Sequence, residues 1–301
     1  MEGDANSICL TAQSASICSQ ATATINSQAD ATQFASCSTI SGSVVLGSTA
    51  SGVISLDGPS TITGDLTINN ASGLTSFSSN SIGQIKGTFS LTDLQLLSTI
   101  QMTDLTAVKA ILFQGLPTLS TLTFPSTISK ASSLVISNTF LNNLNGINLA
   151  TVATLRIDNN VHLVDISTQI GNITDSGEIF ANGQGLSVSF PNLIWAANLT
   201  FRDVANVSIP SLSVVNGSLG FYESSLDTIG APNLTAVGNT GSGQGSLAFV
   251  DDVSLTNISF PLLAKVGGAL QIANNTLLGS ISFPSLTTVV GAIDFSGNFS
   301  S

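Results

Sequence analysis

Three segments of the chain align without gaps: residues 87–108, 245–266 and 268–289. Counted from the first strand residue as zero, apolar side chains recur in them at 0, +2, +8 (or +7), +11, +13, +16 and +19. The period-2 start predicts a short strand with one buried face. The later apolar positions predict a return path, which closes at an aromatic–proline step. That step recurs at Phe124-Pro125, Phe190-Pro191, Phe260-Pro261 and Phe283-Pro284, with Ile209-Pro210 as a variant. Proline has no N–H to give a ladder, so it marks a bend.

Position zero falls at Leu66, Phe89, Ile111, Leu134, Leu155, Ile179, Leu199, Leu219, Leu247, Leu270 and Ile293, mostly 20 to 24 residues apart. The longest interval, 28 residues from Leu219 to Leu247, holds the glycine-rich stretch Asn239–Gly245, which reads as a surface loop. A turn of about 23 residues cannot bury its apolar face alone, whereas stacked turns share one core. The pattern therefore predicts an all-β, right-handed parallel β-solenoid of the leucine-rich-repeat kind over residues 44–301, as one continuous domain. Residues 1–43 read as its N-terminal cap. Within them Asn26–Cys37 has a helical pattern, with Asn26 or Ser27 as N-cap and Ala29, Phe34 and Ala35 inward. No C-terminal cap follows Ile293-Asp294-Phe295, so the natural protein is expected to continue.

Position +4 carries Asn70, Asp93, Asn138, Asn159, Asp203, Glu223, Asp251 and Asn274. These are expected to form an inward ladder that satisfies the backbone of neighbouring turns. Trp195 falls on an apolar return-path position and is expected in the core.

Composition narrows the setting. Charged residues are 8% of the chain against about 25% in an average soluble protein. A surface of hydroxyls and amides suits an extracellular wall or coat. No apolar run is long enough to span a bilayer, and the Met1-Glu2-Gly3-Asp4 start lacks the apolar core of a signal peptide. The net charge is −11, and the six basic residues Lys86, Lys109, Lys130, Arg156, Arg202 and Lys265 are scattered singly along the sequence, which excludes a nucleic-acid partner. Cys9, Cys18 and Cys37 lack metal-ligand spacing, and His162 is the only histidine, so no metal or cofactor is expected. A disulfide in an oxidising compartment is the better reading, with three pairings open. Asn-x-Ser/Thr acceptors at Asn172, Asn198, Asn206, Asn216, Asn233, Asn257 and Asn298 point to a glycoprotein. Those at Asn70 and Asn274 are set aside, because a buried ladder amide cannot carry a glycan.

Two chemistries compete for the strands. Asp203, Glu223 and Asp251, with Asp252 beside them, lie on successive turns, and strand spacing of about 4.8 Å approaches the carboxyl separation of retaining glycosidases. A polysaccharide-active enzyme is therefore one alternative. It lacks a supporting histidine or basic cluster, since His162 reads as a turn residue, and no catalytic residue is assigned. The other alternative is recognition of a glycan or protein by the outward strand positions, where Arg156, Phe180, Asn182, Arg202 and Tyr222 concentrate the sheet's charge and aromatic rings.

Cys18 with Ala21–Ala23, Cys37-Ser38-Thr39-Ile40, Leu193–Asp203 (LIWAANLTFRD), Val215–Phe221 (VNGSLGF) and Val290–Ser300 (VGAIDFSGNFS) carry a specific likeness. With them the chain resembles the fungal GPI-anchored cell-wall organisation proteins, the extracellular-mutant/sporulation-specific family, whose repeats are similar to receptor L domains. The resemblance implies a secreted, non-enzymatic glycoprotein of the cell wall and outer membrane face that contributes to wall integrity. It implies wall glycans or surface proteins as partners, and membrane attachment only through a GPI anchor that this chain does not contain. It also implies that Cys18 pairs with Cys37.

Overall fold

A computed structural model of the chain describes residues 17–297, which fall into two compact units dividing between Asn148 and Leu149. Cys9 and Asn298 lie outside the described residues.

Every pairing between named strands is parallel, and each unit is a β-solenoid. In the first unit one ladder stacks Ala23, Val44, Leu66, Phe89, Ile111 and Leu134 in register. A second aligns Ile40, Ile62, Ile85 and Val108, and a third runs through Ser51–Ser55, Gly73–Ser79 and Thr99–Met102. The second unit repeats the plan. Its main ladder stacks Leu155, Gly177, Leu199, Leu219, Leu247, Leu270 and Ile293. Each such position is called a rung below.

The core follows from the predicted alternation. Side chains at 0 and +2 point inward and are nearly all fully buried. In the second unit the +2 column places Phe201, Phe221 and Phe249 in a stack, with ring centroids 5.4 and 5.2 Å apart. Phe190 and Phe260, from the aromatic–proline bends, close on that stack at 6.3 and 5.7 Å. Each such pair adds about 0.5–1.5 kcal/mol beyond its area burial.

Three expectations need correction. The sheet begins two rungs earlier than the apolar pattern suggests, at Ala23 and Val44. The helix is shorter, Gln28–Thr32, and sits inside the first turn. Its N-cap is Ser27 in a capping box with Asp30, and the Gln28 amide caps the edge of Ser51–Ser55 by bonding both N and O of Ser55. Finally, Gly177 rather than Ile179 occupies position zero on its rung, and Ile179 is the +2 residue. Glycine leaves no apolar mark there, so the next buried side chain takes its place in a reading of the sequence.

The disulfide joins Cys18 to Cys37, which flank this helix in sequence. Closing a loop of this length is worth about 3 kcal/mol in the chain-entropy model. Cys18→Ser with Cys37→Ser should therefore lower unfolding free energy by about that amount in denaturant titration.

Candidate functional site

The +4 column turns out of the core instead of into it. Asn159, Ala181, Asp203, Glu223, Asp251 and Asn274 in the second unit all have φ between 49° and 59°, as do Asn70, Asp93 and Asn138 in the first. A left-handed residue interrupts the strand alternation, so +4 faces solvent and +5 takes the inward place. Asn and Asp tolerate this conformation best among residues with a side chain. The inward ladder therefore lies one residue later than predicted, at Asn160, Asn182, Ser224, Asp252 and Asn275, all buried. Asn70 and Asn274 are exposed, so burial no longer removes those two acceptors.

The buried amides work by a fixed rule. The Asn160 N–H donates to Asn182 Oδ1 (3.2 Å), and Asn182 Nδ2 donates to the carbonyls of Ile157 (2.9 Å) and Phe180 (3.1 Å). Further along the same column, the Asp252 N–H donates to Asn275 Oδ1 (2.9 Å), and Asn275 Nδ2 donates to the Phe249 carbonyl (3.0 Å). Asp252 does the first of these jobs, its Oδ1 accepting from the Ser224 N–H at 2.8 Å. Its Oδ2 is buried without a hydrogen-bond partner, where the asparagines present a donor. Burial pushes this carboxyl up to about 7, the Asp251 charge adds to the effect, and the Ser224 N–H opposes it.

Of the predicted outward residues, Asn182 is buried in the ladder and leaves the face. The other four line up on consecutive rungs. The Arg156 guanidinium lies 5.2 Å from the Phe180 ring centroid, and its Nε donates to Asp158 Oδ1 at 2.8 Å. That bond, with the charges of Asp158 and Glu178, holds Arg156 further above its ordinary range. Arg202 lies 5.3 Å from the Tyr222 ring centroid and pairs with Glu223. The Tyr222 ring folds over Gly220, where any Cβ would collide with it.

The acidic column offers no enclosed chemistry. Asp203 and Glu223 are exposed, Asp251 is half-buried, and Glu223 is already paired with Arg202. A cavity of about 330 Å³ between Asn198, Asn216, Ser218 and the loop residues Asn239, Ser242 and Gln244 contains no titratable group. Among the described residues no cluster of His, Cys, Asp or Glu could hold a metal ion. Trp195 is half-buried beside Asn172 and Val214, because Ala196 takes the inward place. His162 lies in a turn, as expected.

The acceptors Asn198, Asn206, Asn216 and Asn233 are exposed, and Asn172 and Asn257 are half-buried. The Asn198 amide is engaged at both ends, donating to the Asp175 carbonyl and accepting from the Ser218 N–H.

No family model and no solved structure matches the chain. It is 39% identical over 252 residues to "Protein ecm33" of Aspergillus fumigatus, covering 83% of this chain and 62% of that one. A "Cell surface GPI-anchored protein" of Arthroderma benhamiae is 40% identical over 251 residues, covering 83% and 63%. "Cell wall mannoprotein PST1" of Saccharomyces cerevisiae is 33% identical over 214 residues, covering 71% and 48%. The chain thus spans under two thirds of the length of these relatives.

Two outcomes test the ladder. Asn182→Ala should cost about 2–3 kcal/mol, because it strands buried donors and acceptors on two rungs, whereas exposed Glu223→Gln should stay within about 0.5 kcal/mol. For Asp252 the folded carboxyl lies above its ordinary 3.8. Its stabilising contribution is full below about pH 4, is lost as pH rises through 7, and totals on the order of 4 kcal/mol. Denaturant midpoints between pH 4 and pH 8 should therefore diverge between the wild type and Asp252→Asn, with the variant the more stable at pH 8.

Proposed function

We infer the role of this chain from the family it belongs to, that of the fungal cell-wall proteins Ecm33 and Pst1 and the sporulation-specific proteins. The chain is the solenoid portion of a non-enzymatic glycoprotein of the cell wall and outer membrane face, which contributes to wall organisation and integrity. The observation that carries this reading is the identity of about two residues in five, held over 83% of the chain, to relatives with such names. Relatives named as GPI-anchored support a lipid anchor as its membrane attachment.

The geometry agrees with a role without turnover. The acids that invite comparison with glycosidases stand on open turns, and among the described residues the one carboxyl with a raised pKa, Asp252, is sealed inside the ladder. Purified protein should release no sugar from β-glucan, chitin or pectin. In the source fungus, loss of the gene should sensitise the wall to lytic glucanase, and a copy carrying Asp203→Asn and Asp251→Asn should restore resistance. Measurable hydrolysis that vanishes in the double variant would move the chain into the enzyme class. Mass spectrometry of the secreted protein should find glycans at Asn172, Asn206, Asn216, Asn233 and Asn257.

A second reading, recognition of a glycan or surface protein, is favoured by one observation. Gly220 leaves room for the Tyr222 ring, and the Arg156–Phe180 and Arg202–Tyr222 pairs hold both rings in fixed positions. Retention of the protein on wall extract should fall in Phe180→Ala with Tyr222→Ala if this face binds, and stay unchanged if it is only a solvated surface.

A further inference from the structure

Half of the chain's cations meet in one place. Lys86, Lys109 and Lys130 are three of six basic residues in the sequence and the only ones before Asn148. The spacings of 23 (109 − 86) and 21 (130 − 109) residues look like scatter, but they match one turn of the solenoid. Gln84 pairs with Ala107 and Ile85 with Val108, so Lys86 and Lys109 follow each other on adjacent rungs. Lys130 bridges to Ala107 on the next rung, its carbonyl accepting from the Val108 N–H at 2.9 Å. The three lysines line a cavity of about 270 Å³ together with Gln84, Ala107 and the strand positions of Ile85 and Val108, whose side chains are buried.

All three lysines are exposed, and none forms an ion pair with a described residue. Neither Asp65 nor Asp104 forms an ion pair with them. Asp65 Oδ1 accepts from the Thr88 N–H at 2.7 Å, and Asp104 lies exposed in the turn before Ala107. Lys86 and Lys109 stand one strand spacing apart, about 4.8 Å. Lys130, in register with Ala107, lies offset by two residues on the next rung, so three like charges gather and repel one another in a chain whose net charge is −11. A bound polyanion would relieve that repulsion. Lysine supplies point charges on flexible stems, without the directed fork of arginine, which suits charges repeated along a chain better than one oriented carboxylate. Half-buried Ala107 and the aliphatic stems of the lysines offer apolar surface for the C–H faces of sugar rings.

We propose that this cleft binds an anionic polysaccharide, a sugar chain bearing carboxylate, sulfate or phosphodiester groups, laid across the three rungs. The proposal is independent of the outward face described above, whose residues lie in the other unit.

The test uses the full chain and four probes: polygalacturonate, dextran sulfate, neutral dextran and phosphatidylserine vesicles. Wild type should be retarded by both anionic polymers in affinity electrophoresis and not by the neutral one. Binding should weaken as salt rises, with a logarithmic slope smaller by about three in Lys86→Gln/Lys109→Gln/Lys130→Gln, because three counterion-releasing contacts are gone. The triple variant should lose at least about tenfold in affinity while its melting temperature stays within a few degrees, since all three side chains are exposed. Lys265→Gln, which removes an exposed lysine outside both this cleft and the outward face, should bind as the wild type does. No retardation of the wild type, equal binding by the triple variant, or equal loss in the Lys265 variant would each overturn the proposal. Binding to phosphatidylserine vesicles in place of both polymers would also overturn it, in favour of a lipid surface.

Discussion

Each structural property of this protein depends on the parallel, in-register pairing of one turn with the next. No turn encloses enough apolar surface to hold itself, so a rung exists only because its neighbours cover it. That constraint makes columns, rather than residues, the units of design. The +2 column supplies the phenylalanine stack, the +4 column the left-handed corner, and the +5 column the buried amides. A side chain is tolerated or not according to its column. Ala181 shows this from the negative side. It occupies a left-handed corner with neither the side-chain oxygen of Asn nor the freedom of Gly, and its rung is still held by the Asn182 amide beside it.

The period and the inward apolar positions are legible because burying a leucine or phenylalanine leaves a mark in composition. What the sequence hides is whatever leaves no such mark. Gly177 fills a zero position with no side chain, and Ala23 and Val44 are too small to stand out. The corner at +4 escapes a pattern reading because strict alternation does not survive a residue whose backbone breaks it. Asn159-Asn160 and Asp251-Asp252, read as a corner followed by a ladder, would have revealed the buried column. The Cys18–Cys37 link is legible only through family resemblance, since three pairings satisfy the spacing. The lysine cleft is hidden for a geometric reason: charges one turn apart in sequence are neighbours in space.

The two carboxylates of the Asp251-Asp252 pair show how far one residue of register separates chemical roles. Asp251 meets solvent at a corner. Asp252 is enclosed, with one oxygen fixed by a backbone N–H and the other lacking a partner. The same argument weighs against catalysis. The column positions that water and substrate reach are corners with no enclosure, and the enclosed position is closed to substrate.

The direction of the backbone hydrogen bonds has a mechanical consequence. In each unit they run along the axis on which rungs stack, so tension along that axis is carried by the interfaces in series and the weakest gives way first. Rungs would then peel away in succession, and each loss would release a stored length of about one turn of chain. Tension across the axis instead loads a whole strand in shear. A molecule of this kind yields in small steps along one direction and resists along the other.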